Sequence, residues 1–188
     1  MTEDDHPDGD TTSVEKTWIF QGNPKYYDLQ GALDSGLREI NWSTRQHRDQ
    51  MRPGDRVFLW ISGKGGGVVA AGHLTSAAHD AVESDAELEF NVGEFDNSPK
   101  PRVTVLVETI LDFPLSRDEL LAEPLLEKMH LFRMSQGTNY LLQPAEAAAL
   151  EARVVSHPRF EDLIHRYHVA GTVFQSRSEE HTSELQSR

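Results

Sequence analysis

A chain of 188 residues has room for one ordinary domain with a full hydrophobic core and not for two. It holds no cysteine, which excludes a disulfide framework, a thiolate metal site and a cysteine nucleophile. A formal net charge of −13 excludes a uniformly basic coat that grips nucleic acid without regard to sequence.

The N-terminus is polar and acidic, and no apolar run approaches the roughly 20 residues that span a bilayer. A cytoplasmic protein without a membrane partner is therefore expected. Residues 1–15 carry Glu3, Asp4, Asp5, Asp8, Asp10 and Glu15 with no Lys or Arg. With so little apolar surface to offset the entropy of ordering, they read as a disordered acidic tail. Residues 17–21 form a short β-rich run that stops at the turn signal Gly22-Asn23-Pro24. Residues 26–37 place Tyr26, Tyr27, Leu29, Leu33 and Leu37 near helical spacing, weakened by Gly36. Strand, polar turn and helix in that order put Gln21 and Asn23 at a strand end, where side chains and backbone amides face a ligand. Residues 40–42 read as a second strand. Ser43 or Thr44 then caps a helical turn that reaches Met51 and stops at Pro53-Gly54.

Two apolar runs, 57–61 and 68–74, flank Ser62-Gly63-Lys64-Gly65-Gly66-Gly67, a hairpin signal in which glycines supply positive φ. The spacing is not that of a P-loop and no helical pattern follows, which disfavours a phosphate cradle. Residues 77–99, with Asp80, Glu83, Asp85, Glu87, Glu89, Glu94 and Asp96, read as a long acidic surface excursion. Over 102–111, Val103, Val105 and Val107 alternate with other side chains as a strand does. Ser116-Arg117-Asp118-Glu119 is a capping box, opening a short helix over 120–122 that breaks before Pro124; a further helical turn covers 125–129. Residues 133–140 form a turn-rich connector into a strand over 140–142. Pro144 then serves as the first-turn proline of a helix over 145–155. His157-Pro158 ends that helix, and 159–166 read as one more. His165 and His168, three apart, could share a helix face, but no third ligand accompanies them, so no metal centre is expected. Residues 177–187 match one reading frame of a widely used sequencing adapter, so 176–188 are set aside as foreign to the gene. That leaves 157–175 as a helical extension and room for an effector domain beyond Gln175.

The most specific stretch runs over residues 18–72. It holds three tryptophans among glycines and small polar residues: Thr17-Trp18-Ile19-Phe20-Gln21-Gly22-Asn23-Pro24, Ile40-Asn41-Trp42-Ser43-Thr44, Pro53-Gly54-Asp55-Arg56-Val57-Phe58-Leu59-Trp60-Ile61-Ser62-Gly63 and Val68-Val69-Ala70-Ala71-Gly72. Its neighbourhood is also basic, with Arg38, Arg45, Arg48, Arg52, Arg56 and Lys64 against Glu39, Asp49 and Asp55. A planar base is held by aromatic faces, each stack worth about 1–3 kcal/mol, with edge hydrogen bonds supplying identity. Trp42 and Trp60 are candidates for those faces, although tryptophans on short strands are more often core residues.

On these segments the chain resembles the EVE domain, a PUA-like family related to the YTH readers of methylated RNA, over about residues 17–154. The resemblance implies an α+β fold over 16–156, a PUA-like small mixed β-barrel of about five or six strands flanked by short helices. It makes Trp42 a cage wall and Ser43 a backbone or hydroxyl contact. Gln21 and Asn23, either side of Gly22, become readers of the base edge, and Trp60, Ser62 and Gly63 lie at the pocket mouth or floor. Arg133, Thr138 and Asn139 reach phosphate or ribose. The second cage wall stays open between Phe90, Phe95 and Trp60. The implied function is non-catalytic: reading a flipped-out modified base, such as a methylated cytosine or adenine, in DNA or RNA, for a restriction or surveillance effector protein and without a cofactor. Two alternatives stand beside it. One is a hydrolase of modified nucleosides like the ASCH-type proteins, with Lys64 as the lysine of the pocket stretch. The other is a PUA-like interaction module with every tryptophan in the core. No Gly-x-Ser-x-Gly elbow, His-Glu-x-x-His or dinucleotide fingerprint is present.

Overall fold

The structure, a computed structural model, describes residues 15–134 and 136–161. The expected acidic tail up to residue 14, the histidines at 165 and 168 and the segment 176–188 lie outside the described residues, as does the helix expected over 159–166 beyond residue 161.

The first strand, β1 (Thr17–Gly22), is apolar on both sides. Successive strand side chains point to opposite faces, so Trp18 and Phe20 enter one core cluster and Ile19 the other. The same parity divides β3 (Arg56–Ile61): Val57 and Leu59 join the first cluster, Phe58 and Trp60 the second. β1 and β3 run parallel, with Gly22 opposite Ile61, so their C-terminal ends lie together. Between them in sequence come α1 (Leu29–Asp34) and β2 (Glu39–Ser43). β4 (Gly67–Leu74) returns antiparallel to β3 through the expected glycine turn, in which Gly63 takes φ 98°. β5 (His79–Ala81) and the long β6 (Lys100–Ser116) follow, and β7 (Asn139–Leu141) closes the series on the free side of β1.

The strand order is β2-β6-β4-β3-β1-β7, with β5 beside β6, giving seven strands where five or six were expected. Four strand steps separate β2 from β1, roughly 19 Å in a flat sheet. Yet Trp42 of β2 stacks on Phe20 of β1 with ring centroids 5.6 Å apart. The sheet is therefore curled into a half-barrel around the first cluster, and its two edge strands, β2 and β7, face each other across a seam. The second cluster lies outside β1, β3 and β4, under the helices α3 (Arg117–Leu121), α4 (His130–Arg133) and α5 (Pro144–Val155). α3 begins at the expected capping box, where Ser116 accepts from Glu119 N and Glu119 accepts from Ser116. α5 begins at Pro144.

Three local expectations change. α1 is shorter than residues 26–37, because Asp28 caps it by accepting from Gly31 N while Tyr27 bridges to Asn91. Residues 44–51 form only a 3-10 turn at Arg48–Gln50, entered through His47 at φ 58°; the Thr44 hydroxyl caps nothing. Residues 125–129 are turns rather than a helix.

Residues 77–99 are largely exposed, as expected, but they contain β5 and α2 (Asp85–Leu88) and fold back across β2 and β6, which buries Glu83 and Glu87. Glu83 and Arg102, 9% and 4% exposed at the side chain, form an ion pair at 2.9 Å. Glu87 accepts from both the backbone and the side-chain amide of Asn41, next to Trp42. Tyr27 packs beside this acidic pair, and burial, then the charges of Glu87, Glu83 and Asp28, push its hydroxyl well above its ordinary pKa. That hydroxyl is buried with no partner. Tyr27→Phe is accordingly expected to raise stability by about 1 kcal/mol, since it removes an unsatisfied polar atom at no loss of a hydrogen bond. Urea unfolding midpoints for the two proteins would show it; a drop of that size would reveal a hydrogen bond on the phenol.

Candidate nucleic-acid interface

The seam is built on Trp42. β2 carries it inward between Ile40 and Thr44, opposite Val103 of β6. Its indole lies on Phe20 with a 26° interplanar angle, and at 8% exposure it is the most open buried member of its cluster. Gly22 abuts its outer edge: a Cβ at that position would come within 3.3 Å of Trp42 Cη2. A side chain there would make the indole give by a few tenths of an ångström.

Gln21 ties this strand end to the connector before β7. Its amide N–H donates to Thr138 O at 2.8 Å and its side-chain Nε2 to Gly137 O at 3.1 Å. The Tyr140 hydroxyl lies 2.7 Å and 2.9 Å from the carbonyls of Met134 and Gly137 and pins the same turn. Burial pushes its pKa up, only partly opposed by its bond to Gly137, so it remains a proton donor. The connector is thus fixed against the end of β1.

Asn139 opposes Phe20 in the β1–β7 register, so the two side chains share the face that bears Trp42. It is 1% exposed; its Oδ1 accepts from the Thr138 hydroxyl at 2.9 Å, and its Nδ2 has no partner. Thr44, two residues beyond Trp42 and 2% exposed, donates its backbone N–H to Pro101 and leaves its Oγ1 unpartnered. Buried polar groups are nearly always hydrogen-bonded. Of these two, Asn139 also lines the groove along the seam, while Thr44 follows Trp42 at the end of β2.

A groove of about 1100 Å³ opens along the seam. Gln46 and His47 line it from the loop after β2, and His130, Arg133, Gln136 and Asn139 from the other side. Arg133 is exposed at the end of α4. His47 is the only non-glycine residue with positive φ among the described residues, a conformation that costs backbone energy and often marks a functional loop. Its ring packs near Trp18, 5.9 Å away.

The structure thus brings together Gln21, Gly22, Trp42, Thr138, Asn139 and Arg133. Ser62 and Gly63 lie at the adjoining end of β3, where Ser62 N donates to Gly22 O. Asn23 is exposed, its Oδ1 engaged by Lys25 N, and Ser43 is half-buried beside Arg102 of β6. Trp60 does not join them. Strand parity sends it into the second cluster, edge-on to Phe132 at 6.1 Å, on the opposite side of the sheet from Trp42. Of the other aromatic positions considered for a second wall, Phe90 packs edge-on to Tyr27 and Phe95 lies under Lys100. Phe20 is the aromatic residue that meets Trp42, and only its alternation with Ile19 hinted at it. Gln46, His47 and His130 were also missed, since nothing in their spacing links them to Trp42; Thr44 was read only as a possible helix cap, although its two-residue offset puts it on the same strand face as Trp42. Lys64 stands exposed in the β3–β4 turn. Among the described residues no group of His, Asp or Glu is placed to hold a metal, and no helix is long and apolar enough to cross a membrane.

Solved structures share this curled sheet. A hypothetical protein from Leishmania major superposes with a TM-score of 0.58 at 21% identity, over 77% of this chain and 98% of its own. Rpa0253 from Rhodopseudomonas palustris gives 0.56 at 19% identity, over 77% and 96%. Human THYN1, solved in complex with 5-methylcytosine containing DNA, gives 0.55 at 16% identity, over 77% and 100%. No curated protein sequence matches the chain. The EVE domain family model matches residues 16–152, the span from the start of β1 into α5 that builds both clusters and the seam. With that match across the half-barrel, the chain belongs to the EVE domain family and has its PUA-like fold.

Proposed function

We propose that the chain is a non-catalytic reader that takes a flipped-out modified nucleobase of DNA or RNA into the seam between β2 and β7, 5-methylcytosine being the first candidate. The carrying observation is an indole backed by Phe20, with Asn139, whose buried Nδ2 has no partner, opposite Phe20 on the same face of the sheet. A base that stacks on Trp42 offsets the few kcal/mol needed to leave its duplex, and polar atoms beside the stack read its edge. The 5-methylcytosine DNA held by human THYN1 supports that choice of base. Titrating the full chain with matched oligonucleotides carrying cytosine, 5-methylcytosine, 5-hydroxymethylcytosine, adenine or N6-methyladenine tests the reading. Preference for one modified base is expected; equal or absent binding across the set would overturn it.

The backbone of that nucleic acid would lie along the basic loop after β2, where Arg45 and Arg48 are exposed. Among the described residues Arg48 pairs with Asp49, at 3.6 Å and itself 93% exposed, which screens its charge little. The double variant Arg45→Ala/Arg48→Ala is expected to weaken modified and unmodified oligonucleotides by the same factor. It should also lower the slope of log K against log salt by about 0.9 for each phosphate that is no longer neutralised. Affinity measured at several salt concentrations checks this; a change in base preference with an unaltered slope would remove these arginines from the backbone track.

A further inference from the structure

The family resemblance groups Asn139 with residues that reach phosphate or ribose, but a side chain 1% exposed beneath the seam cannot touch a solvated backbone. Its amide is oriented from within: the Thr138 hydroxyl donates to Oδ1 at 2.9 Å, which leaves Nδ2 as the free end. That end is a pure donor. Asn139 lies on the face shared with Phe20 and is one of the residues lining the groove. We infer that Asn139 is the specificity-determining residue of the seam, donating from Nδ2 to an acceptor on the edge of the stacked base, such as the ring N3 or the O2 of a cytosine derivative; this rests on the reader function proposed above. Thr138 is then a positioning residue: it keeps the amide oxygen turned away from the ligand. A buried donor left empty by a wrong ligand rejects that ligand strongly, because its desolvation goes uncompensated.

The test is Asn139→Asp, which keeps the shape and the acceptor for Thr138 while replacing the free donor by an oxygen. The full-length variant and the parent chain are titrated with a 5-methylcytosine duplex and its unmethylated match, alongside thermal melts. The expected result is a loss of about ten- to a hundred-fold in affinity for the methylated duplex. Should the variant melt early, Asn139→Ala, which buries no carboxylate, is expected to show the same loss. A parent that prefers the methylated duplex and a variant that binds that duplex as tightly would overturn the inference alone, showing that solvent serves the amide. A parent with no preference overturns the reader function and the inference with it.

Discussion

Trp42→Ala is expected to abolish selective binding of a modified oligonucleotide and at the same time to cost about 3–5 kcal/mol of stability. Both losses follow from where the indole sits. One of its faces lies on Phe20 inside the first core cluster, so truncation opens a cavity in the half-barrel. Its edge forms the boundary with Gly22 and the seam, so truncation also removes the platform for the base. Binding and melting must therefore be measured together. Trp60→Ala is the matched control: an indole of equal size, 5% exposed in the second cluster, whose loss is expected to cost comparable stability and leave base preference intact in the folded protein. If both variants lose preference in proportion to stability alone, Trp42 is a core residue and the seam is not a base site.

Arg102→Ala is expected to destabilise the fold by about 3–5 kcal/mol, because it strands a buried carboxylate. Arg102 Nη1 donates to Glu83 Oε1 and to Asn41 O, both at 2.9 Å. Glu83 is held besides by Asn91 Nδ2, and its backbone N–H and C=O are both bonded to the Asn97 side chain, so the carboxylate has no route to solvent short of releasing residues 77–99. With a melting shift of about 2–4 °C per kcal/mol for a chain of this length, the midpoint should fall by on the order of ten degrees. Replacing both partners, Glu83→Leu with Arg102→Met, is expected to recover most of the loss, since neither charge then remains buried alone. A small effect of the single variant would mean that water reaches Glu83. Because Asn41, gripped by Glu87 and Arg102, precedes Trp42 on β2, this network also holds the indole's strand in place.

Much of the architecture follows from local pattern. β1, β3, β4 and α5 lie within a residue or two of where apolar runs, turn glycines and Pro144 put them. Those signals act between near neighbours, as the Ser116–Glu119 capping box does, and so are complete in a short window of sequence. Trp42 alternates with Glu39, Asn41 and Ser43 on β2, but Trp60 lies on a strand buried on both faces, with no polar alternation to fix which way its side chain points. Strand parity together with the curl of the sheet decided it, sending Trp42 to the seam and Trp60 to the far side. The burial of Glu83 and Glu87 within the acidic run over 77–99 was not legible because their partners are distant in the chain: Glu87 bonds Asn41 across 46 positions. Asn139 followed the same logic, its neighbour Phe20 being supplied by a strand at the other end of the domain. The sequence by itself determined the strands, the glycine turn, the caps and the aromatic stock of the seam, since each depends on residues a few positions apart. Only the tertiary structure decided which aromatic ring and which buried amide meet there, because closing the half-barrel brings together its first and last strands, and no local pattern records that meeting.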